Sequence, residues 1–268
     1  MKDILTQIVD NKRFEVDLQK TNITPRQIEE LAFDPRTFHS MRQSLMSSSS
    51  GIISEFKRKS PSKGWIHPDA DAVETAKSYS ANGASAISIL TDSSFFGGSL
   101  KDLKAIREVT ETPLLRKDFI IDEYQLYQAR VAGADAVLLI AACLEPNKCK
   151  QLAAKAHELG LEVLLEIHRQ EELDYIDENM DMVGINNRNL GTFHTDVQNS
   201  FTLAGLLVEH TANMKHRPVL VSESGISKPE TIKSLREVGF HGFLIGETFM
   251  KTAKPGDTLK AFIKAVES

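Results

Sequence analysis

Eight short apolar runs recur along the chain, and segments with helical spacing separate them. The runs lie at 51–56, 84–90, 113–116, 134–141, 161–167, 182–186, 218–222 and 240–245. The intervening segments include 71–82, 99–109, 123–131 and 147–159, where apolar residues recur at the spacing of an amphipathic helix. The run at 136–140 is apolar throughout, which is typical of a parallel strand buried on both faces. Eight strands alternating with helices at intervals of roughly thirty residues predict a (β/α)8 barrel.

A doubly wound open sheet is the competing fold, because it also alternates strands with helices. Such a sheet usually carries a glycine-rich dinucleotide-binding loop after its first strand. The first run here is followed by the sequence Lys-Arg-Lys-Ser-Pro-Ser at 57–62, which is not a loop of that kind. We therefore favour the barrel.

The first 46 residues have helical patterning and form an extension that a minimal barrel does not need. Thr24 and Pro25 resemble a helix start, with an N-cap followed by proline in the first turn. The apolar residues of this segment need a packing partner: Ile4, Leu5, Ile8, Ile28, Leu31 and Phe33. The short polar linker at 47–50 predicts a position over or beside the barrel mouth, and the alternative is that the helices plug the barrel bottom. We expect 1–268 to form one barrel domain with 1–46 as its helical N-terminal extension.

Composition excludes several classes of protein. The 268 residues are 41% hydrophobic and 26% charged, with a formal net charge of -5, which argues against nucleic acid as a partner. The longest apolar run, 136–144, is too short to span a membrane, and the N-terminus has no signal-peptide core. Cys143 and Cys149 have no metal-site spacing and cannot form a disulfide framework. We expect a cytoplasmic protein without a metal site.

Ionisable side chains lie where the predicted strands end. Glu55 and Lys57 end the first strand, Lys117 the third and Glu166 the fifth. The sixth and seventh strands end in further polar residues: Asn186, Asn187, Arg188, Ser222, Glu223 and Ser224. In a barrel these ends meet at one face, and closely packed carboxylates and ammonium groups shift one another's pKa values. Such a cluster favours an enzyme that uses general acid–base catalysis.

Glycines follow the last two strands, where barrels often bind phosphate through backbone N–H groups. Gly225 and Gly246 occupy these positions and predict an anion site for a small phosphorylated ligand. His168, the aromatic loop at 95–98 and Trp65 could contact a ligand or could serve packing alone.

Taken together, these segments resemble the indole-3-glycerol-phosphate synthase family. The matching segments are 53–62, 88–92, 115–120, 165–168, 184–190, 222–226 and 243–247, and they occur in the family's order. The resemblance implies that 1-(2-carboxyphenylamino)-1-deoxyribulose 5-phosphate closes to indole-3-glycerol phosphate, with loss of carbon dioxide and water, in tryptophan biosynthesis. It also implies a monomer that needs no cofactor and no metal.

The resemblance assigns a role to each matching residue. Lys117 resembles the general acid, and Lys57 the lysine that pairs with the substrate carboxylate. Glu166 is similar to the family's second acid–base residue and Glu55 to its helper. The remaining matches hold the substrate or its phosphate: Asn186, Ser224, Glu223, Arg188, Ser60, Gly225, Gly246 and Glu247. His168 varies within the family and receives no role.

Two other functions fit a phosphate-binding barrel. Phosphoribosylanthranilate isomerase needs a Cys/Asp acid–base pair, and neither cysteine ends the first strand. A catalytically silent barrel that binds a sugar phosphate would not need both lysines and both key glutamates.

Overall fold

The computed structural model describes residues 4–33, 35–189 and 191–268. Within these residues, eight parallel strands close into a barrel. Each strand pairs with its neighbours in sequence, and the first pairs with the last. The strands are β1 Ile52–Phe56, β2 Ala86–Leu90, β3 Leu114–Lys117, β4 Ala136–Ile140, β5 Glu162–Ile167, β6 Met182–Asn186, β7 Val219–Glu223 and β8 Phe240–Ile245. The predicted (β/α)8 barrel is confirmed, and no strand end differs from its predicted run by more than two residues. The predicted segments 1–46 and 184–190 include residues 1–3, 34 and 190, which lie outside the described residues.

Helices surround the barrel and precede it. They are α1 Ile4–Asn22, α2 Pro25–Ala32, α3 Met41–Ser47, α4 Ala72–Ala81, α5 Leu100–Arg107, α6 Glu123–Ala132, α7 Pro146–Glu158, α8 Gln198–His210, α9 Pro229–Glu237, α10 Glu247–Met250 and α11 Pro255–Glu267. A 3-10 helix, Gln170–Tyr175, stands between β5 and β6 in place of an α-helix. None of the helices in the described part of the chain has the length and apolar character needed to cross a membrane.

The strand register divides the core into an outer and an inner layer. Alternate strand residues pack outward against the helices or inward within the barrel. The inner layer includes Leu115, Leu164 and Val221, each with 0% of its surface exposed. Each of these residues lies two positions before an ionisable residue, at 117, 166 and 223. The ionisable side chains therefore continue the inward rows above the apolar core, as their spacing predicts.

The N-terminal extension reaches both ends of the barrel. Met41 and Leu45 of α3 belong to the inner core at the bottom, where Ser44 Oγ donates to the backbone oxygen of Ser85. At the opposite end, Ile4 and Ile8 of α1 line the cavity at the mouth.

The predicted position over or beside the mouth was wrong for α3. The linker at 47–50 enters β1 at its N-terminal end, which is the end opposite the mouth, so it keeps α3 at the bottom. The expectation that all the apolar side chains of the extension pack was also wrong, since Leu31 and Phe33 are 48% and 65% exposed.

Leu45→Ala is expected to lower the free energy of unfolding by about 2–5 kcal/mol, the usual range for a buried leucine that leaves a cavity. Leu45 is 1% exposed and lies far along the barrel axis from the mouth, so kcat and KM should stay close to wild type. Denaturant unfolding and steady-state kinetics on one preparation would check this. Leu18→Ala on the exposed face of α1 is the control. A large loss of kcat at full folding would contradict a purely stabilising role.

Candidate active site

A cavity of about 510 Å³ opens at the carboxyl ends of the strands. Its apolar end is formed by α1 and by side chains above β3 and β4, and includes Ile8, Phe119 and Ile140. Phe96 packs against Phe119 with ring centroids 5.9 Å apart, so the aromatic loop after β2 contributes to this end. The opposite end is polar. An amphipathic ligand with an aromatic part and an anionic part would match these two ends.

Ten of the twelve predicted site residues line this cavity: Glu55, Lys57, Lys117, Glu166, Asn186, Arg188, Ser224, Gly225, Gly246 and Glu247. Glu223 and Ser60 do not line it. Glu223 lies behind Lys117 and bonds to it, whereas Ser60 Oγ lies 3.5 Å from Ser62 Oγ, and Ser62 is the residue that faces the cavity.

Lys117 lies at the centre of the polar end. Its Nζ donates to Glu166 Oε2 at 3.2 Å and to Glu223 Oε2 at 3.0 Å. Burial would lower the pKa of Lys117, but the carboxylates of Glu223, Glu166 and Glu55 outweigh burial and raise it above the usual lysine value. Lys117 is therefore a charged ammonium at neutral pH, which is the form that a proton donor needs.

The two carboxylates beside Lys117 differ in acidity. Burial raises the pKa of Glu223 to about 7, since Lys117 opposes burial only in part and Glu166 adds repulsion. Burial acts on Glu166 too, but Lys117, His168 and a hydrogen bond from Asn186 lower its pKa below the usual value. Two carboxyl groups on one ammonium can thus hold a single proton between them near neutral pH.

Glu55 and Lys57 form a second ion pair in the cavity wall, in which Lys57 Nζ bonds directly to Glu55 Oε1. Gly246, directly after β8, faces this pair. A Cβ at Gly246 would collide with the Glu55 carboxylate, although its φ of -120° is open to any residue. Glycine is needed here for close approach of a side chain, and a larger residue would displace Glu55 as well as narrow any anion site.

The loops after β6 and β7 hold each other through a buried amide. Asn187 Nδ2 donates to Ser222 Oγ and to the backbone oxygen of Ser224, both at 3.1 Å. Ser224 itself has a φ of 67°, in the left-handed region that is costly for a residue with a Cβ. The bond from Asn187 stabilises this conformation, which directs Ser224 and Gly225 into the cavity. Asn187 was in the sequence pattern, but nothing there indicated this bond.

Arg188 connects three loops at the polar rim. Its Nη1 donates to Ser62 Oγ at 3.0 Å, its Nε donates to Thr195 Oγ1 at 3.2 Å, and its Nη2 lies 3.9 Å from Glu247 Oε2. Lys63 Nζ also lies 3.9 Å from Glu247. Two cations, two glycines and the Glu247 carboxylate therefore lie at one corner of the cavity. Cations and glycine N–H groups are the donors that an anion site uses.

His168 has a closer relation to the site than the sequence indicated. Its Nε2 lies 3.4 Å from Glu166 Oε1 and its Nδ1 lies 3.8 Å from Glu172 Oε2. Burial lowers the pKa of His168, but Glu172 and Glu166 more than compensate and raise it. Lys12 of α1 was missed altogether, because nothing in its local sequence shows that it is buried. Within the described residues, no cluster of three or more His, Cys, Asp or Glu side chains is placed to hold a metal ion.

A closed barrel with ionisable groups in a cavity at the carboxyl ends of its strands defines a (β/α)8-barrel enzyme. The family model for Indole-3-glycerol phosphate synthase matches residues 5–262. The chain therefore belongs to the indole-3-glycerol phosphate synthase family, whose members are lyases that close the indole ring with decarboxylation in tryptophan biosynthesis. The alternative of phosphoribosylanthranilate isomerase is wrong.

Curated relatives agree with this family over nearly the whole chain. Indole-3-glycerol phosphate synthase of Bacteroides thetaiotaomicron is 62% identical over 267 residues, covering 100% of both chains. The enzyme of Salinibacter ruber is 43% identical, covering 96% of this chain and 93% of its own. The enzyme of Magnetococcus marinus is 41% identical and covers 96% of each.

Solved structures support the fold. The tryptophan synthase α subunit of Legionella pneumophila superposes with a TM-score of 0.61 at 15% identity, covering 84% of this chain and 97% of its own. A mutant α subunit from Pyrococcus furiosus has a TM-score of 0.59 at 16% identity, covering 81% of this chain and 97% of its own. At these identities the likeness concerns the barrel alone.

Proposed function

We propose that the mouth cavity is where the protein carries out the family's reaction, with Lys117 as general acid and Glu166 as the second acid–base residue. The observation that carries this proposal is the position of Lys117 Nζ, which bonds both Glu166 and Glu223 inside the cavity. A charged donor with two acceptors beside it can both give and take protons without moving far.

Substrate orientation follows from the two ends of the cavity. The carboxyphenyl ring of 1-(2-carboxyphenylamino)-1-deoxyribulose 5-phosphate would lie at the apolar end, against Ile8 and Phe119. Its phosphate would lie at the opposite corner, near Arg188, Gly225 and Gly246. The ribulose carbons between them would then lie near Lys117. This orientation leaves the ring carboxylate within reach of Lys57, which follows β1 and also lines the cavity.

Ring closure needs a proton donor. The ring carbon that bears the carboxylate attacks the ribulose carbonyl carbon, and the C–C bond forms as the carbonyl oxygen takes a proton from Lys117. Lys57 holds the carboxylate until the C–C bond to it breaks, and the released electron pair restores the aromatic ring as carbon dioxide leaves.

Dehydration completes the indole. The new hydroxyl group takes a proton from Lys117, which solvent has reprotonated after ring closure, and leaves as water. A base removes a proton from the neighbouring CH2 carbon, so that the ring double bond forms. Glu166 is the base in this proposal, because its lowered pKa keeps it ionised at neutral pH. Glu55 assists through its bond to Lys57, while Asn186 and Ser224 orient the sugar. Glu223 supports Lys117 from behind.

A direct assay tests the proposed reaction. Adding 1-(2-carboxyphenylamino)-1-deoxyribulose 5-phosphate should produce indole fluorescence and one equivalent of carbon dioxide for each substrate consumed. Phosphoribosylanthranilate is the matched control, since it shares the anthranilate and phosphate groups. Turnover of the control alone, or binding of the substrate without product, would overturn the proposal.

Arg188→Gln is expected to raise KM by about tenfold or more and to lower kcat much less, because a charge-assisted bond to phosphate holds substrate and transition state alike. The same variant should weaken competitive inhibition by inorganic phosphate. Arg26→Gln is the control, since Arg26 forms only an exposed pair with Glu30 on α2. An unchanged KM with a strongly reduced kcat would move the phosphate to another part of the cavity.

The resemblance also supports a monomeric, cytoplasmic enzyme that binds no nucleic acid and folds as one domain over 1–268. A single mass near 29.8 kDa by light scattering and one cooperative unfolding transition would be the expected results.

A further inference from the structure

Lys12 is a fully buried lysine outside the predicted site. It lies on α1 and is 1% exposed, which is rare for lysine unless its charge is paired. Its Nζ lies 2.8 Å from Glu15 Oε2, 3.0 Å from Asp92 Oδ2 and 3.0 Å from Asp118 Oδ1. Burial would lower its pKa, but these three carboxylates raise it above the usual value. Lys12 is thus a charged group that connects a helix to two strand ends.

The two aspartates are buried beyond the ends of neighbouring strands, and Asp118 lines the cavity. Asp118 directly follows Lys117 at the end of β3, and Asp92 follows the end of β2 by two residues. Asp118 Oδ2 also accepts from Thr91 Oγ1 at 2.6 Å and from Arg116 Nη2 at 3.1 Å. Lys12 and Arg116 are the cations beside the buried Asp92 and Asp118, while Glu15, the third carboxylate on Lys12, is partly exposed. The removal of either cation therefore leaves a buried negative charge without compensation.

The same helix closes the apolar end of the cavity. Ile4 and Ile8 lie eight and four positions before Lys12, which places all three on one face of α1. Ile4 and Ile8 line the cavity, and Phe119, next to Asp118, lines it from the barrel side. The contact between α1 and the mouth therefore has two parts: the apolar contact of Ile4 and Ile8, and the ion pairs of Lys12.

We propose that Lys12 is a positioning residue for the reaction, acting through Asp92 and Asp118. Lys12 holds α1 over the apolar end of the cavity. It also fixes the end of β3, where Lys117 lies and after which Phe119 follows. This inference rests on the proposed role of Lys117. A displacement of about 1 Å at a reacting group can cost up to 10²-fold in rate, so loss of this link should be visible in kinetics.

Lys12→Met tests the proposal. It keeps the chain length and apolar stem and removes the charge. We expect kcat/KM to fall about tenfold or more. KM should increase because α1 no longer closes the apolar end of the cavity, and kcat should decrease because Lys117 shifts. Lys20→Met is the matched control on the same helix, since Lys20 pairs with Asp122 near the surface at 2.8 Å and does not line the cavity. Its kinetic constants should match wild type.

A double variant distinguishes a positioning role of Lys12 from a purely stabilising role. In Lys12→Met/Asp92→Asn, one buried carboxylate is neutral, so the midpoint of unfolding should recover relative to Lys12→Met. The link from α1 to Asp118 is still missing, so the kinetic defect should remain. Recovery of kcat/KM together with the unfolding midpoint would overturn the proposal, and so would wild-type kinetics in Lys12→Met. If Lys12→Met does not fold, wild-type kinetics in the double variant overturns it.

Limited proteolysis gives a readout that does not depend on turnover. The proposal predicts faster cleavage within α1 in both Lys12 variants than in Lys20→Met, at a temperature where all are folded. Equal cleavage rates would overturn it. Lys117→Met, assayed in parallel, tests the proposed function separately, because an active Lys117→Met enzyme would remove the premise, whereas normal kinetics in the Lys12 variants would remove only this inference.

Discussion

Lys117→Met is expected to lower kcat by about 10²-fold or more, while KM should change far less. That loss is the typical contribution of one general acid or base. Methionine has a similar length and cannot donate a proton, so the cavity should keep its shape. The structure adds a second effect, because Glu166 and Glu223 both bond to the ammonium that this change removes.

Two comparisons make the Lys117 result interpretable. Lys57→Met removes a second ammonium of the cavity and should mainly raise KM, since Lys57 is proposed to pair with the substrate carboxylate. Substrate binding to Lys117→Met, measured by calorimetry, should stay within a few fold of wild type. A Lys117→Met enzyme with near-normal kcat would end the assignment of Lys117 as general acid.

Glu166→Gln is expected to lower kcat by about 10²-fold or more, because glutamine keeps the shape of the side chain but cannot exchange a proton. Glu55→Gln should be milder, since Glu55 is proposed to assist through Lys57. Glu166 has more fixed partners than Glu55, with Lys117, Asn186 and His168 around it.

The comparison between the loss of kcat in Glu166→Gln and the loss of kcat in Glu55→Gln decides the two roles. Steady-state kinetics of both variants at several pH values would give it, with circular dichroism to verify folding. If Glu55→Gln is the more damaging change, the two roles are reversed. Glu178→Gln is a control for the loss of a glutamate charge, since the described contacts of Glu178 are to the backbone N–H groups of Lys215 and His216, outside the cavity.

Much of the fold could be predicted from periodicity. A run such as 136–140 is apolar enough to be buried on both faces, which favours a central parallel strand, and the alternation of such runs with helical segments favours a barrel. The inward register followed from the same runs, because side chains alternate along a strand. Leu115 and Lys117, or Leu164 and Glu166, could therefore be assigned to one face without coordinates.

Contacts between distant elements could not be predicted in this way. Lys12 lies 80 residues from Asp92 and 106 from Asp118, and no local pattern distinguishes it from the exposed Arg13 beside it. The position of the extension was predicted only in part, since α1 lies at the mouth and α3 lies at the bottom. The short linker keeps α3 at the N-terminal end of β1, whereas the position of α1 at the mouth depends on contacts with residues far away in the chain.

The sequence by itself determined the barrel, the inward direction of Lys117 and Glu166, and the resemblance to the family, because all of these depend on residue types at fixed local spacings. Tertiary structure alone decided which charges meet. It brought Glu223 to Lys117, raised the pKa of Glu223 to about 7, and buried Lys12 between two aspartates. The physical reason is that ion pairing and desolvation depend on distances of a few ångströms between atoms far apart in the chain, and only the closed barrel sets those distances.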